Sequence, residues 1–501
     1  MPAGQHIPLG QRIPNSIHAV SVSLPTMADV IGYEEKRPEV LDKIQSGYPR
    51  FVTHPFLLKI ETYWKSLFDS PNSRIWLTSS EKIARSLQTH LGDERSKYLS
   101  HGGISGVRLP EDETPNQKAK LYLQHIGGLL SSRQAEDYLA SNGIEQFSEK
   151  EERYQGDSEV LIKSILAPDL GNPSPDSILL ANSGMNAFFA AYQAINKIQS
   201  AYGKKSWIKL GWLYTDTMRI LDKLRPEGAD NVNHYDIFDL DALEATLAQR
   251  PNDFAGIITE TPTNPLVQTI DLKRVREIAD RYGAFLIIDP TMNSIANIDV
   301  SPYADVIVTS LTKYVGYEGD TIAGSICVAE RCPEKETLIS ETQNHLEPVY
   351  QGDLDRLAHL AQDYHQCIST INSSTEAVAQ FLSSHGKVDH VYWALQDNSK
   401  NNYRKLARNS TAVGSMISFD LKGNLAGFYD NLALAKGPSF GMKSTIACPY
   451  IYLAHYDSLQ EDSGLAYLSR AGVSPELIRL SIGTEPTTEI IEALENALGK
   501  A

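Results

Sequence analysis

Asp289 and Lys313 are the residues whose types and spacing most suggest chemistry. Each lies close behind a short apolar run, Phe-Leu-Ile-Ile before the aspartate and Val-Ile-Val before the turn that carries the lysine. A lysine amine can form an imine with an aldehyde, and a buried carboxylate can hold a proton on a ring nitrogen. Pyridoxal 5′-phosphate (PLP) requires both groups, because its protonated ring withdraws electrons from a bound amino acid. The pair predicts a PLP site, although each residue alone also fits an ordinary helix cap or surface charge.

A second motif, Ala-Asn-Ser-Gly-Met at residues 181–185, follows an apolar run and precedes a helical pattern. Free N–H groups at the start of a helix bind phosphate, and a glycine allows the ligand to approach closely. Ser310 and Thr312 lie in the turn before Lys313, and Arg133 could supply a balancing positive charge. We expect these groups to hold the cofactor phosphate, although Asn-Ser-Gly is also an ordinary turn sequence.

Two further motifs could contact the cofactor or a substrate. Glu-Thr-Pro-Thr-Asn-Pro at residues 260–265 follows an apolar run, and its prolines fix a loop that aims Asn264. The Asn264 amide could hydrogen-bond the phenolic oxygen of the cofactor, or the loop could be only a stiff turn. Arg479 lies within the apolar run at residues 477–483, where an unpaired cation is costly. A bidentate contact with a substrate α-carboxylate would explain this arginine, and so would a structural salt bridge.

The elements that must position these residues follow an alternating pattern of strands and helices. Continuous apolar runs of this length suit strands that are buried on both faces. They lie at residues 177–181, 254–259, 284–288 and 305–309. Residues 272–282 carry apolar side chains on one helical face, with Asp271 as the N-cap and Gly283 just past the end. The pattern predicts an α/β fold with a mostly parallel sheet and functional residues at the carboxyl ends of its strands.

Three regions follow from these patterns. Residues 1–155 are predicted to form an N-terminal arm and a helical extension, and residues 156–340 a large PLP-binding domain. Residues 341–501 begin with a long helical pattern and continue with strand-like runs and a closing helix. We expect this last region to be a smaller α+β domain.

Composition narrows the class of protein. The chain has 501 residues and a formal net charge of −16, which argues against a nucleic-acid binder. The four cysteines show no metal-ligand spacing and no disulfide framework, so we predict no metal site and a reducing compartment. No signal peptide is recognised, and no apolar run is long enough to span a bilayer. We therefore expect a cytoplasmic enzyme that acts on small molecules, with no membrane partner.

Six segments, taken in chain order, resemble the Cys/Met-metabolism PLP-dependent enzymes. They are residues 182–185, Tyr214, residues 260–265, Asp289, residues 310–313 and residues 477–483. Other segments resemble the fungal-type cystathionine γ-synthases within that family. These are residues 14–25, 32–35, 47–51, 124–128, 447–450 and 453–456. The resemblance covers roughly residues 125–500 and implies the aspartate-aminotransferase fold (fold type I), in a homo-oligomer, a dimer or tetramer, that shares active sites.

The resemblance also implies residue roles. Lys313 would carry the cofactor as a Schiff base, Asp289 would bind the ring nitrogen and Tyr214 would stack on the ring. The phosphate would be held by Ser183, Gly184, Met185, Ser310 and Thr312, with Arg133 from a neighbouring subunit. The substrate carboxylate would approach Asn264 and Arg479, and Ser444 would lie in the loop that lines the pocket.

Three positions depart from the family pattern and leave the second substrate open. Ser131 stands where the wider family has a tyrosine, Pro290 where an asparagine is common, and Lys443 where an acidic residue is frequent. The resemblance implies γ-replacement on an O-acylated homoserine, foremost O-acetyl-L-homoserine, with L-cysteine as the nucleophile. A carbon nucleophile, as in fungal natural-product pathways, is the alternative. A catalytically inactive regulatory subunit is a further alternative, which the retained Lys313 and Asp289 disfavour.

Overall fold

The computed structural model describes residues 4–46, 52–148 and 151–501. The fungal-type motif at residues 47–51 lies outside the described residues. None of the helices in the described ranges is long and apolar enough to cross a membrane.

The first region combines a short ribbon, a small antiparallel sheet and several helices. Its elements are β1 (Arg12–Ile13), β2 (Ser21–Val22), α1 (Met27–Glu34), α2 (Pro38–Leu41), α3 (Pro55–Leu67), β3 (Ser73–Thr78), α4 (Glu81–Leu91), β4 (Lys97–His101), β5 (Ile104–Pro110), α5 (Glu113–Ile126) and α6 (Ser132–Ser141). Strands β3, β5 and β4 pair antiparallel in that order. The predicted helical extension therefore also contains a sheet, which the sequence pattern did not show. Strand β4 is largely polar, and β5 contains Gly106, over which Trp64 packs, so neither has a strong strand pattern.

The middle region is built on a mostly parallel sheet, as predicted. Its elements are α7 (Ser158–Leu166), β6 (Ile178–Ala181), α8 (Gly184–Ser200), β7 (Ser206–Leu210), α9 (Thr215–Lys223), β8 (Val232–His234), α10 (Leu240–Gln249), β9 (Phe254–Glu260), α11 (Leu272–Tyr282), β10 (Phe285–Asp289), β11 (Val306–Ser310), β12 (Gly324–Val328) and α12 (Lys335–His345). Within the described residues the strand order is β6-β12-β11-β10-β9-β7-β8. Strand β12 runs antiparallel to both of its neighbours.

The capping residues explain where helix α11 begins and ends. The Asp271 side chain accepts a hydrogen bond from the Arg274 backbone N–H, and Gly283 follows the helix with φ of 57°. An aspartate satisfies a free N–H at the helix start, and glycine adopts the left-handed conformation without strain. Both predicted boundaries of this helix are confirmed.

The last region is a smaller α+β unit around an antiparallel sheet. Its elements are α13 (Gln351–Ala361), α14 (Tyr364–Ser384), β13 (Val388–Trp393), α15 (Lys400–Leu406), β14 (Met416–Leu421), α16 (Leu425–Asn431), β15 (Ala435–Lys436), β16 (Ile446–Pro449), α17 (Tyr450–Ala454), α18 (Asp462–Arg470), β17 (Ile478–Ser481) and α19 (Thr487–Leu498). The strand order is β13-β14-β17-β16-β15, and β15 pairs parallel with β16. The predicted fold, a large mostly parallel sheet domain with a smaller C-terminal domain, is confirmed.

The register of the large sheet brings the ends of several strands to one edge. Asp289 pairs with Glu260 at the carboxyl ends of β10 and β9. Ser310 and Ala181, at the carboxyl ends of β11 and β6, both pair with Gly324 of β12. Because these strand ends share an edge, the loops that follow them converge on one place.

Candidate active site

One cavity at this edge unites most of the residues singled out in the sequence. Those that line it are Gly184, Met185, Tyr214, Asn264, Asp289, Ser310, Lys313 and Arg479. Lys313 lies in the turn after β11, and its backbone N–H donates to the Ser310 carbonyl over 3.2 Å. The Lys313 side chain is buried, and its Nζ lies 2.6 Å from the Ser439 Oγ. The structure thus directs the lysine amine into the cavity.

Two buried carboxyl groups, Glu260 and Asp289, line the same cavity from neighbouring strand ends. Burial raises the pKa of Asp289 to about 6, although hydrogen bonds from Thr291 oppose the shift. Burial and the nearby Asp289 raise the pKa of Glu260 well above its usual range. Glu260 accepts a hydrogen bond from the backbone N–H of Tyr214, which fixes the start of helix α9 beside the cavity. A cationic group bound next to Asp289 would restore its ordinary ionisation.

The start of helix α8 forms a cradle for an anion. A Cβ on Gly184 would lie 2.8 Å from the Ser310 Cβ, so a side chain larger than hydrogen does not fit at this position. The Ser310 Oγ is buried and has no hydrogen-bond partner among the described residues. A buried hydroxyl without a partner is costly, and a phosphate oxygen at the helix start would satisfy it. Ser183 caps the helix by accepting a hydrogen bond from the Asn186 backbone N–H.

The cradle is supported from behind by the end of helix α5. The Asn182 amide donates to the Gly127 carbonyl over 2.7 Å, and the Asn186 amide donates to the Ile126 carbonyl over 2.9 Å. A Cβ on Gly127 would lie 2.2 Å from the Ser183 Oγ. The N-terminal region therefore contacts the cofactor-binding motif directly.

Four predicted site residues, Ser183 among them, do not line this cavity in the part of the chain that the structure describes. The Thr312 hydroxyl is buried and hydrogen-bonded to the backbone of Ala323, so it supports the turn and does not line the cavity. Ser444 is buried but does not line the cavity in the part of the chain that the structure describes. The Arg133 guanidinium is 1% exposed and is bound by Glu151 and Asp353 of its own chain. Both ion pairs neutralise the positive charge of Arg133, which was expected to bind the cofactor phosphate. The contact of Arg133 with a neighbouring subunit stays a prediction.

Arg479 reaches the same cavity from strand β17. Its Nη1 donates to the Asn264 Oδ1 over 3.1 Å, and its Nη2 donates to the Ser439 carbonyl over 3.3 Å. The guanidinium carbon lies 5.1 Å from the Phe440 ring centre and 4.8 Å from that of Tyr450. These partners are neutral, so they orient the cation without neutralising it. The arrangement suits an incoming carboxylate and explains a buried arginine on an apolar strand.

Ser439 and Phe440 are the residues that sequence reasoning missed. Both belong to the run Gly-Pro-Ser-Phe-Gly at residues 437–441, and Ser439 has φ of 89°, in the left-handed region. The Lys313 Nζ also lies 5.1 Å from the Phe440 ring centre. The closely spaced glycines and proline indicated a tight loop, but only the fold shows that this loop joins Lys313 to Arg479.

Comparison with known proteins decides the family. The profile described as Cys/Met metabolism PLP-dependent enzyme matches residues 174–499. A relative from Streptantibioticus cattleyicolor, named L-2-amino-4-chloropent-4-enoate dechlorinase/desaturase, is 37% identical over 489 residues, covering 98% of each chain. The chain belongs to the Cys/Met-metabolism PLP-dependent enzymes. PLP is accordingly its cofactor, as predicted.

Other members of the Cys/Met-metabolism family confirm the fungal resemblance and the fold. Cystathionine γ-synthase of Neurospora crassa is 28% identical over 616 residues and covers 98% of both chains. The solved structure of cystathionine γ-synthase from Xanthomonas oryzae pv. oryzae, in complex with aminoacrylate and cysteine, has a TM-score of 0.58. It is 21% identical and covers 69% of this chain and 86% of its own, so it bears on the fold alone.

The residues of this cavity fit the cofactor of the family. The unpartnered Ser310 hydroxyl and the start of helix α8 suit the phosphate, and Asp289 suits a protonated ring nitrogen. Lys313 is the amine within the same cavity, and Tyr214 lines the wall between Glu260 and helix α9.

A pH dependence of stability follows from Asp289 in the cofactor-free protein. Its pKa is about 6 in the folded state, against 3.8 for an ordinary aspartate, so the folded state binds this proton more tightly. The stabilisation by the neutral carboxyl is complete below pH ~4 and is lost as the pH rises through ~6, a change on the order of 3 kcal/mol. We expect the free energy of unfolding by urea to fall over this range, and to fall less in Asp289→Asn.

The control for this experiment is the same titration with saturating PLP. Wild type should then lose less stability between these pH values, because a cation beside Asp289 favours its charged form. An Asp289→Asn protein with the same pH dependence as wild type would show that other groups cause it.

Proposed function

We propose that the protein catalyses replacement at Cγ of an O-acylated L-homoserine, foremost O-acetyl-L-homoserine, with L-cysteine as the nucleophile. The observation that carries the proposal is the bridge formed by Ser439. Its Oγ lies 2.6 Å from the Lys313 Nζ, and its carbonyl accepts a hydrogen bond from Arg479. Ser439 therefore contacts both the base and the carboxylate-binding cation. An α-amino acid needs both groups close together, because its Cα proton and its carboxylate are on neighbouring atoms.

Each residue contributes a separate task. When bound, PLP withdraws electrons from the carbons next to the amino group of the substrate. Arg479 and Asn264 bind the substrate carboxylate, while Asp289 holds the proton of the ring nitrogen. Lys313 removes the proton at Cα and then one at Cβ, because its amine faces the cavity on a flexible side chain. The bond from Cγ to the acetate oxygen then breaks and acetate leaves. The sulfur of cysteine bonds to Cγ and gives up its proton, and protons return to Cβ and Cα, so that the net products are cystathionine and acetic acid.

Apolar side chains around this site favour expulsion of the leaving group over hydrolysis. Phe440, Tyr450 and Leu453 line the cavity, and all three are buried. Their burial keeps water from the reacting carbons.

A second candidate function is loss of a halide from Cγ without replacement. The relative at 37% identity is named for L-2-amino-4-chloropent-4-enoate, which carries chlorine on the fourth carbon, the same position as the acetate oxygen of O-acetylhomoserine. Lys443, in place of a common acidic residue, is bound to Glu318 over 2.6 Å and does not line the cavity. A paired cation thus stands where many family members carry an acidic residue, which leaves the second substrate open. A carbon nucleophile is the remaining alternative for the replacement reaction.

Mass spectrometry of the products tests these functions. Purified protein with PLP is incubated with O-acetyl-L-homoserine, with and without L-cysteine, and separately with L-2-amino-4-chloropent-4-enoate. Cystathionine formed only with cysteine supports the proposal. Acetate release that ignores cysteine supports γ-elimination and points to a carbon nucleophile, whereas chloride release from the chlorinated amino acid alone overturns the homoserine assignment. Lys313→Ala is the control for reactions that do not use the site.

We further propose that the enzyme is cytoplasmic, as its composition indicates, and that it is a homo-oligomer whose subunits share active sites, as the resemblance implies. The family supports the oligomer. Size-exclusion chromatography with light scattering measures it directly.

A further inference from the structure

The N-terminal arm, defined here as residues 4–26, lies against the loop that carries Ser439. The Ser21 Oγ donates to the Pro438 carbonyl over 2.5 Å. The Leu24 backbone N–H donates to the Lys436 carbonyl over 2.9 Å. Two hydrogen bonds from one extended segment, residues 21–24, therefore fix the beginning of the loop at residues 436–441.

Gly437 shows how closely the arm approaches this loop. A Cβ on this residue would lie 2.2 Å from the Val22 carbonyl oxygen and 3.3 Å from the Ser21 Oγ. Any side chain at this position would push the arm away, since 2.2 Å is far inside van der Waals contact. The backbone φ of Gly437 is not in the left-handed region, so the backbone conformation does not require a glycine here. The close approach of the arm does.

The arm also holds the loop that follows Lys313. The Val20 backbone N–H donates to the Gly319 carbonyl over 2.9 Å. Val20 and Ile13 pack in one apolar cluster with Met442 and Ile446, which flank the other end of the Ser439 loop. Strands β1 and β2 pair antiparallel and make this part of the arm a two-stranded ribbon rather than a loose chain.

Contacts continue from the loop into the active site. Ser439 contacts Lys313 through its hydroxyl and Arg479 through its carbonyl. The Gly441 carbonyl accepts a hydrogen bond from the Tyr314 N–H over 2.7 Å, next to Lys313. A displacement of the loop would therefore move both cations relative to each other.

We propose that the arm positions the active site, and that Ser21 is the positioning residue through which it holds the Ser439 loop. Ser21 touches neither Lys313 nor Arg479, so it acts through Pro438 and Ser439. The arm thereby sets the distance between the base and the carboxylate-binding cation. This role goes beyond the proposed reaction and does not depend on which nucleophile is used.

Two serines of the arm provide a matched pair for the test. Ser21 and Ser23 are 0% and 1% exposed and lie two residues apart. The Ser23 hydroxyl donates to the Ile7 carbonyl within the arm, over 2.7 Å, whereas the Ser21 hydroxyl donates to the loop. Ser21→Ala and Ser23→Ala thus each remove one buried hydrogen bond, but only the first loosens the loop.

The experiment compares both variants as PLP-loaded full-length proteins. Hydrogen–deuterium exchange of peptides covering residues 436–443 should be about fivefold faster in Ser21→Ala, the effect of one buried hydrogen bond. Binding of L-norvaline, an amino acid without a leaving group at Cγ, should weaken by about the same factor when followed by cofactor absorbance. Ser23→Ala should leave both measurements at the wild-type values.

Further variants keep the proposal falsifiable if Ser21→Ala does not fold. Ser21→Cys preserves most of the volume and loses the strong donor, and Gly437→Ala displaces the arm from the loop side. Each should speed exchange at residues 436–443 and weaken norvaline binding. Unchanged exchange and binding in folded Ser21 variants, or equal effects in Ser23→Ala, would overturn the positioning role. Exchange needs no turnover, so failure of the proposed reaction would not affect this result.

Discussion

Lys313→Ala should abolish the covalent link to PLP and reduce turnover by at least about 1000-fold. The Lys313 amine lies in the cavity beside Ser439, and we propose that it is both the attachment point and the base. Loss of the visible absorbance of the bound cofactor measures the link. Borohydride reduces the imine and fixes the cofactor to its lysine. Peptide mass spectrometry of the wild-type protein should then find this label, the reduced cofactor, on Lys313.

Lys443→Ala is the matched control, since Lys443 lies in the neighbouring loop but is paired with Glu318 outside the cavity. It should keep the visible absorbance and the label on Lys313. A Lys313→Ala protein that still carries a reducible link, on another lysine, would contradict the assignment.

Arg479→Ala should raise the KM for the amino-acid substrate by about 100- to 1000-fold and leave the cofactor bound. A bidentate charge-assisted contact with a carboxylate supplies several kcal/mol, and Arg479 is oriented for it by Asn264, Phe440 and Tyr450. Arg479→Lys keeps the charge but loses the planar pair of donors, so its KM should lie between that of wild type and that of Arg479→Ala. Steady-state kinetics, with cofactor absorbance recorded in parallel, separate substrate binding from cofactor binding.

An amine without a carboxylate provides the control for this variant. Propylamine should bind to wild type and to Arg479→Ala with equal affinity, because it offers Arg479 nothing to bind. A loss of propylamine binding in Arg479→Ala as large as the loss of substrate binding would show that the substitution distorts the cavity instead.

The sequence predicted the large sheet well because its strands are buried on both faces. The apolar runs that end at Glu260, Asp289 and Ser310 carry this signal, and the caps at Asp271 and Gly283 mark one helix correctly. Strands β3–β5 left no comparable pattern, since one of them is mostly polar and another contains a glycine under Trp64.

Within the site, residues next to strand ends could be predicted and residues brought in by distant loops could not. Gly184 and Lys313 lie just after strands that the alternating pattern predicts, and Asp289 is the last residue of another. Ser439 lies far along the chain, in a different sheet region, and only the packing of the small domain brings it to Lys313. The Thr312 hydroxyl donates to the Ala323 carbonyl, and the predicted role of Thr312 at the phosphate stays a prediction.

The contact between helix α5 and the phosphate cradle links the order of synthesis to the order of folding. The family profile begins at residue 174, yet the carbonyls of Ile126 and Gly127 accept hydrogen bonds from Asn186 and Asn182. While the chain is being made, the end of α5 emerges first and must wait for the start of α8 before it can bury these groups. We therefore expect the N-terminal region and the catalytic domain to complete their folding together, and an exchange of either one with a relative to require matching residues at this contact.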